Sequence, residues 1–227
     1  MNIITCKRSP ISKYKGRSIS DITSPVIASV VQDLPFEIDE LIVGSALQSG
    51  RGQNIAKQIA IHSNLSLNVI CTNVNKVCAS SIKGLDIGMN SILSGKNNAV
   101  LIVGVEKMSE TPILDNGQNS LMVDALTCGI TKKVMGELAD DITKRFQIEK
   151  EEIDQYAVQS YKKWSQWKDK YKDLIVPIDE VKDDYSFPFC FEKMKTLKTI
   201  FGNNGVHTAA TSSKVADGCA VTLIVSE

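Results

Sequence analysis

Histidine is scarce in this chain of 227 residues, which has only His62 and His207. The six cysteines, at positions 6, 71, 78, 128, 190 and 219, form no Cys-x-x-Cys pair and follow no metal-site spacing. So few candidate ligands argue against a structural zinc site. No apolar run approaches the roughly 20 residues of a membrane-spanning helix, and no stretch reads as a signal peptide. Net charge is lacking too: 26 basic and 26 acidic side chains balance, so nothing draws the whole chain toward nucleic acid or anionic lipid. One stretch, YKKWSQWKDKYKD at 161–173, is rich in lysine and aromatics, but its aspartates make it a solvated helix face. No internal repeat is evident. The expectation is a protein with free thiols, in the cytoplasm or an organelle matrix, without nucleic-acid or membrane partners.

What is present is enough apolar material, 43% of residues, for a substantial core in one or two domains. Residues 1–6 read as a strand, and Pro10 and Gly16 bound a loop. Ser24 is the expected cap of a helix to about Gln32, with Pro25 in its first position, where a missing N–H costs nothing. A strand follows within 39–47, a helix at 54–61 with Ile55, Ala56, Ile59 and Ala60 inward, and a strand before Cys78. Ile82, Leu85, Met89 and Ile92 then recur at helical spacing up to Gly95, ahead of a buried strand at 99–103. Strands separated by helices in this way indicate a largely parallel α/β layer. The return of a last strand at 219–225, announced by Asp217-Gly218, makes it a mixed five-stranded sheet. Between them, 112–118 reads as loop. Helices are expected at 122–128, at 134–146 (Met135, Leu138, Ala139 and Ile142 on one side) and at 148–164 (Ile153, Tyr156, Ala157 and Tyr161 aligned). A short strand at 174–178 and a loop at 183–185 complete this stretch.

Cys78 falls at the junction of a strand and a helix, followed by the small residues Ala79, Ser80 and Ser81. Free N–H groups and the partial positive charge of a helix N-terminus favour a thiolate there. Lys76 adds to that field if its side chain turns inward rather than to water. Two readings stand on the residues alone: a nucleophile, or a small buried apolar side chain.

The segment Asn75-Lys76-Val77-Cys78-Ala79-Ser80 resembles the nucleophile segment of the thiolase family, whose enzymes exchange acyl groups between coenzyme A thioesters. Further segments are similar in the same order. They are Arg8-Ser9-Pro10 with Tyr14-Lys15-Gly16, residues 36–58, Gly104-Val105-Glu106-Lys107-Met108-Ser109, Met135-Gly136, residues 154–160, Thr208-Ala209 and Asp217-Gly218. The resemblance implies a thiolase-like N-terminal α/β core at 1–110 and 200–227. A shortened loop and helical excursion at 111–199 would cover the substrate and contact coenzyme A. It also implies an acyltransferase of the acetyl-CoA C-acetyltransferase type, with Cys78 as the acyl-accepting nucleophile. A coenzyme A thioester would be the substrate, and no cofactor would be permanently bound. The family's later HP-x-G histidine and CxG cysteine belong to a second domain and have no match in these residues. The implied partner is therefore a separate C-terminal-half subunit, within a homo- or hetero-oligomer.

Several positions depart from the family pattern. Thr211, in Ala210-Thr211-Ser212-Ser213, replaces the water-binding asparagine. Its hydroxyl can hold a water but lacks the amide's paired donor and acceptor. Ser81 replaces a glycine and is expected to intrude if that glycine allowed close approach. Lys57 replaces an arginine and loses the forked contact. His207 stands where the family has valine and reads as a surface or satisfied core residue, His62 as solvent-facing, and Cys190 and Cys219 as packing. The alternatives are a non-catalytic protein that binds coenzyme A or a thioester, or serves as a scaffold; an inactive truncated remnant; and a slow thioesterase.

Overall fold

Five strands form one mixed sheet in the order β1-β5-β4-β2-β3: β1 (Asn2–Arg8), β2 (Glu40–Gly44), β3 (Ile70–Val74), β4 (Ala99–Lys107) and β5 (Asp217–Val225). β2 pairs in parallel with β3 and β4, so two helical crossovers are needed. β5 runs antiparallel between β1 and β4. Residues 1–183, 191–202 and 205–227 are described by the computed structural model. Two compact units result: Met1–Leu121 with Asp173–Asp184 and Ala216–Glu227, and Met122–Lys172 with Tyr185–Val215.

Alternation along the strands sorts the core of the first unit. Leu41, Val43, Leu101, Val103, Val221 and Leu223 face α1 (Ile19–Val31) and α2 (Ile55–His62), whose Ile22, Val26, Ile27, Ile55 and Ile59 are fully or nearly buried. Ile42, Val100, Ile102 and Ile224 face the other way and pack with Ile92 of α3 (Ser80–Leu93). The inner face of α3 is made of small residues: Ser80, Gly84, Gly88 and Ser91 are buried with Ile92. Of the expected stripe, Leu85, Met89 and Ile92 pack on this cluster, whereas Ile82 is 72% exposed.

α1 also departs from expectation. Its cap is Ser18, whose hydroxyl accepts from Asp21 N–H while the Asp21 carboxylate accepts from Ser18 N–H. This reciprocal pair starts the helix six positions before Pro25, which therefore lies inside it. Ser24 caps nothing; its hydroxyl bonds back to Ser20 O at 2.8 Å. Residues 174–178 form no strand: Ile175 makes a single bridge to Arg8 and Ile178 another to Val181.

The second unit contains a π-helical segment at Leu121–Leu126, in place of the expected helix at 122–128, then α4 (Met135–Phe146), α5 (Lys150–Trp167) and α6 (Phe191–Lys195). Its helices bury polar side chains where apolar stripes were expected. Asp140 and Thr143 of α4 and Asp154 of α5 are buried, whereas Tyr156 is 76% exposed. Asp140 is drawn in by backbone N–H groups and Asp154 by Lys150 Nζ at 2.6 Å. Residues 200–215 belong to this unit rather than to the sheet unit: Thr199 bridges Thr208, and Val206 N–H bonds Asp140. Cys190 lies outside the described residues. Among the described residues no helix is long and apolar enough to cross a membrane.

Candidate active site

Cys78 is exposed, and Ala79 separates it from the first helical residue of α3. β3 ends at Val74, and four residues later the chain has reversed into position for the helix. Val77 makes that reversal, with φ at +51°. A β-branched residue in the left-handed region is rare because its side chain crowds the following carbonyl. Backbone bonds from Ala79 N–H to Lys76 O (3.1 Å) and Ser80 N–H to Val77 O (3.1 Å) close the turn. Lys76 is exposed. The thiol is thus exposed just ahead of the first turn of α3.

Two glycines let this helix end lie close to the sheet. A Cβ on Gly44, the last residue of β2, would fall 2.6 Å from Ser80 C and 2.6 Å from Ser81 N. One on Gly104 of β4 would fall 2.2 Å from Ser81 Oγ. The hydroxyl of Ser81 therefore occupies the space that Gly104 leaves open, and the intrusion expected of a serine here is absorbed by the sheet. Lys57 has an equally local role: its ammonium donates to Leu67 O at 2.8 Å, tying α2 to the loop before β3.

Beside this turn, Glu106 of β4 accepts from Ser45 Oγ (3.0 Å), Ala46 N–H (2.8 Å) and Leu47 N–H (3.1 Å), fixing the loop after β2. Asp217, wholly buried at the start of β5, accepts from Tyr14 N–H (2.8 Å), Ser109 N–H (2.8 Å) and Ser109 Oγ (2.5 Å). Burial alone would raise its carboxyl. The bonds from Ser109 and Tyr14, with Lys107 nearby, outweigh that and hold it below the usual carboxylate range. No sequence signal beyond the Asp217-Gly218 pair marks this buried hub.

Thr211 lies in the second unit, in a turn where its hydroxyl accepts from Thr208 N–H (2.9 Å) and donates to Thr208 O (3.2 Å). Its only proton is thus committed to the backbone, and one lone pair remains for a water. Thr211 lines a groove of about 380 Å³ with Ala210, Ser212 and the α5 side chains Tyr156, Tyr161 and Trp164. His207 is paired: its Nδ1 lies 2.7 Å from Asp140 Oδ1, which also accepts from Val206 N–H. Burial would raise the Asp140 carboxyl, but the bonds from His207 and Val206 dominate and lower it. With a carboxylate as partner, the proton is assigned to Nδ1. No local spacing signals the pairing of Asp140 with His207. His62 is half-exposed, with Nε2 3.2 Å from Asp21, and Cys219 is buried in the core. Among the described residues no cluster of three His, Cys, Asp or Glu side chains is placed to hold a metal ion.

Comparison with known proteins bears on this arrangement directly. The family described as Thiolase, N-terminal domain matches residues 1–227. The chain is 31% identical over 256 residues to a probable acetyl-CoA acyltransferase of Staphylococcus aureus, covering 97% of this chain and 64% of that protein. It is 32% identical over 260 residues to acetyl-CoA acetyltransferase IA of Candida tropicalis, covering 99% of this chain and 64% of that protein. Among solved structures, the Acat5 thiolase from Ascaris suum in complex with coenzyme A superposes with a TM-score of 0.85 at 30% identity, over 99% of this chain and 65% of that one. The chain thus spans slightly less than two thirds of the length of these relatives.

Proposed function

Because the chain belongs to the thiolase family, matching its N-terminal domain over residues 1–227, we propose that it is the nucleophile-bearing half of a thiolase-type acyltransferase acting on coenzyme A thioesters. The observation that carries this reading is the placement of Cys78, exposed just ahead of α3 within the segment that resembles the family's nucleophile motif. The Cys78 thiolate attacks the thioester carbonyl. A carbon–sulfur bond forms to the enzyme, the tetrahedral intermediate collapses, and coenzyme A leaves as its thiolate and takes up a proton. Backbone N–H groups at the start of α3 are suited to stabilise the oxyanion. In the second half-reaction a base removes the α-proton of another acyl-CoA, and the resulting carbanion attacks the acyl-cysteine, releasing the Cys78 thiolate.

These 227 residues offer the first half-reaction a complete local set of groups and the second none in a matching segment. We assign the second base to a partner carrying the complementary half. Support for a docking face comes from α3, which packs on this side of the sheet and leaves Ile82 and Leu93 exposed. The excursion at 111–199, with the aromatic groove of α5, is the surface we assign to the coenzyme A moiety; the sheet core remains the part around 1–110 and the final strand. A non-catalytic thioester binder is the second reading, favoured by the commitment of the Thr211 hydroxyl to Thr208.

Incubation with acetyl-CoA, followed by intact mass and product release, tests the proposal. The expected result is one acetyl group per protein, lost in Cys78→Ser, with no acetoacetyl-CoA turnover until a chain bearing HP-x-G and CxG segments is co-expressed. Removal of a general base costs about a hundred- to ten-thousand-fold. Robust turnover by this chain alone refutes the divided site, and absence of any adduct refutes the nucleophile assignment in favour of the binder.

A further inference from the structure

The loop that presents Cys78 is held in a disfavoured conformation by two side chains that do not belong to the reacting set. Val77, with φ at +51°, is the residue immediately before the cysteine. A β-branched residue keeps such a conformation only where its surroundings over-determine it. Ser80 does so from the helix side: its hydroxyl accepts from Lys76 N–H at 2.9 Å and donates to Val77 O at 2.6 Å. Ser80 itself is buried, although Lys76 and Val77 are exposed. Asn75 does so from the strand side: its Oδ1 accepts from Val77 N–H at 3.0 Å, and its Nδ2 donates to Ala46 O at 3.2 Å. Ala46 is itself fixed through its N–H to Glu106. Both peptide groups flanking Val77, and hence the direction in which the chain enters Cys78, are bound to side chains anchored in the sheet and in α3.

We propose that Ser80 and Asn75 are positioning residues for Cys78, which clamp Val77 in the left-handed region and so fix how Cys78 is presented ahead of α3. This rests on the reading of Cys78 as nucleophile. Without the Ser80 hydroxyl, the Lys76 N–H loses its partner and the Val77 carbonyl keeps only the Ser80 N–H, and Val77 relaxes toward negative φ. That rotation changes how the next residue, the cysteine, is presented. Gly44 reinforces the arrangement because its missing side chain lets the Ser80 backbone lie against β2.

The test is the rate of iodoacetamide labelling at each cysteine of the whole protein, read by peptide mapping, alongside the melting temperature and the acetyl adduct formed from acetyl-CoA. In Ser80→Ala, Cys78 labelling and acetyl uptake are expected to fall about tenfold, the scale of a lost buried hydrogen-bond partner, while buried Cys219 stays protected. Adding Val77→Gly to Ser80→Ala is expected to restore most of the rate, because glycine adopts positive φ unaided. A residue that only supported the fold would instead expose Cys219 and would not be rescued at position 77. Should Ser80→Ala fail to fold, Asn75→Ala, at an exposed position, carries the same expectation with a smaller loss. Rapid wild-type labelling of Cys78 that neither variant alters overturns the positioning role and leaves the nucleophile reading intact. Wild-type Cys78 that labels no faster than Cys71 overturns both.

Discussion

Replacing Gly44 with alanine tests how closely α3 must lie on the sheet. The added Cβ would fall 2.6 Å from two backbone atoms, Ser80 C and Ser81 N, and 2.9 Å from Ser80 O. No rotamer change relieves a clash with backbone, so the first turn of α3 must lift from β2. Overpacking a well-filled core typically costs about 1–3 kcal/mol, and with backbone neighbours the upper end is expected. For a chain of this size about 3 kcal/mol corresponds to a melting temperature lower by roughly 6–12 °C. Gly84→Ala is the matched comparison within α3. There the nearest atom is the Ile42 Cγ2 methyl at 3.2 Å, and the gain in helix propensity, up to about 1 kcal/mol, offsets a small displacement. Scanning calorimetry of both variants, with labelling of Cys78 in parallel, reads the outcome. Gly44→Ala should melt well below Gly84→Ala and label more slowly at Cys78. If Gly44→Ala melts with the wild type, the close helix–sheet approach is wrong, and with it the account of how Cys78 is placed.

Ser18→Ala removes one member of the reciprocal cap of α1 and should cost about 1 kcal/mol in urea unfolding, whereas Ser24→Ala, away from the helix start, should cost less. Asp217 is lowered in the folded protein relative to about 3.9 when unfolded, so its stabilisation is fully present above that value and fades as pH falls through the depressed folded value. Urea midpoints should therefore hold from pH 7 to about pH 4 and fall below that in the wild type, and fall less in Asp217→Asn, which at pH 7 should already have lost about 3 kcal/mol. Burial pushes the Cys219 thiol up to about 12, while the hydroxyl and N–H of Thr131, with the Ile130 N–H, lower Cys128. Brief alkylation at neutral pH should mark Cys128 long before Cys219, which makes Cys128 the demanding comparator for Cys78.

The strands of the first unit were legible because their residues are apolar on both faces: Leu41, Ile42 and Val43 all pack, alternately, against helices on opposite sides of the sheet. The start of α1 was not, since a proline suits a first turn and the stronger Ser18–Asp21 box lies upstream. The side that α3 turns to the sheet was legible in Leu85, Met89 and Ile92. How near it lies was not, because the small residues that permit the approach, Ser80, Gly84, Gly88 and Ser91, carry no hydrophobic signal. At the site, Cys78 was visible through its neighbours' chemistry and its family resemblance. The left-handed Val77 was not, because valine is among the last residues that turn rules would place there. The Asp140–His207 pair joins positions far apart in sequence, which no local pattern connects.

The position of β5 between β1 and β4 has a consequence for the order of events during synthesis. β1, with the register Asn2 opposite Val225, has β5 as its only strand neighbour among the described residues. At about 5–20 residues per second, the first strand leaves the ribosome roughly ten to forty seconds before the strand that pairs with it. Over roughly the second half of that interval β4 is also an open edge, and Ile3, Ile4 and the apolar run of β4 present unpaired backbone to any neighbouring chain. β2, β3 and β4 assemble with α2 and α3 from local segments, while the sheet closes only through contacts of very high sequence separation, the slowest class to form. Nascent or prematurely terminated forms lacking 217–225 are thus expected to be retained by chaperones that bind exposed strand edges, and release should coincide with the arrival of β5.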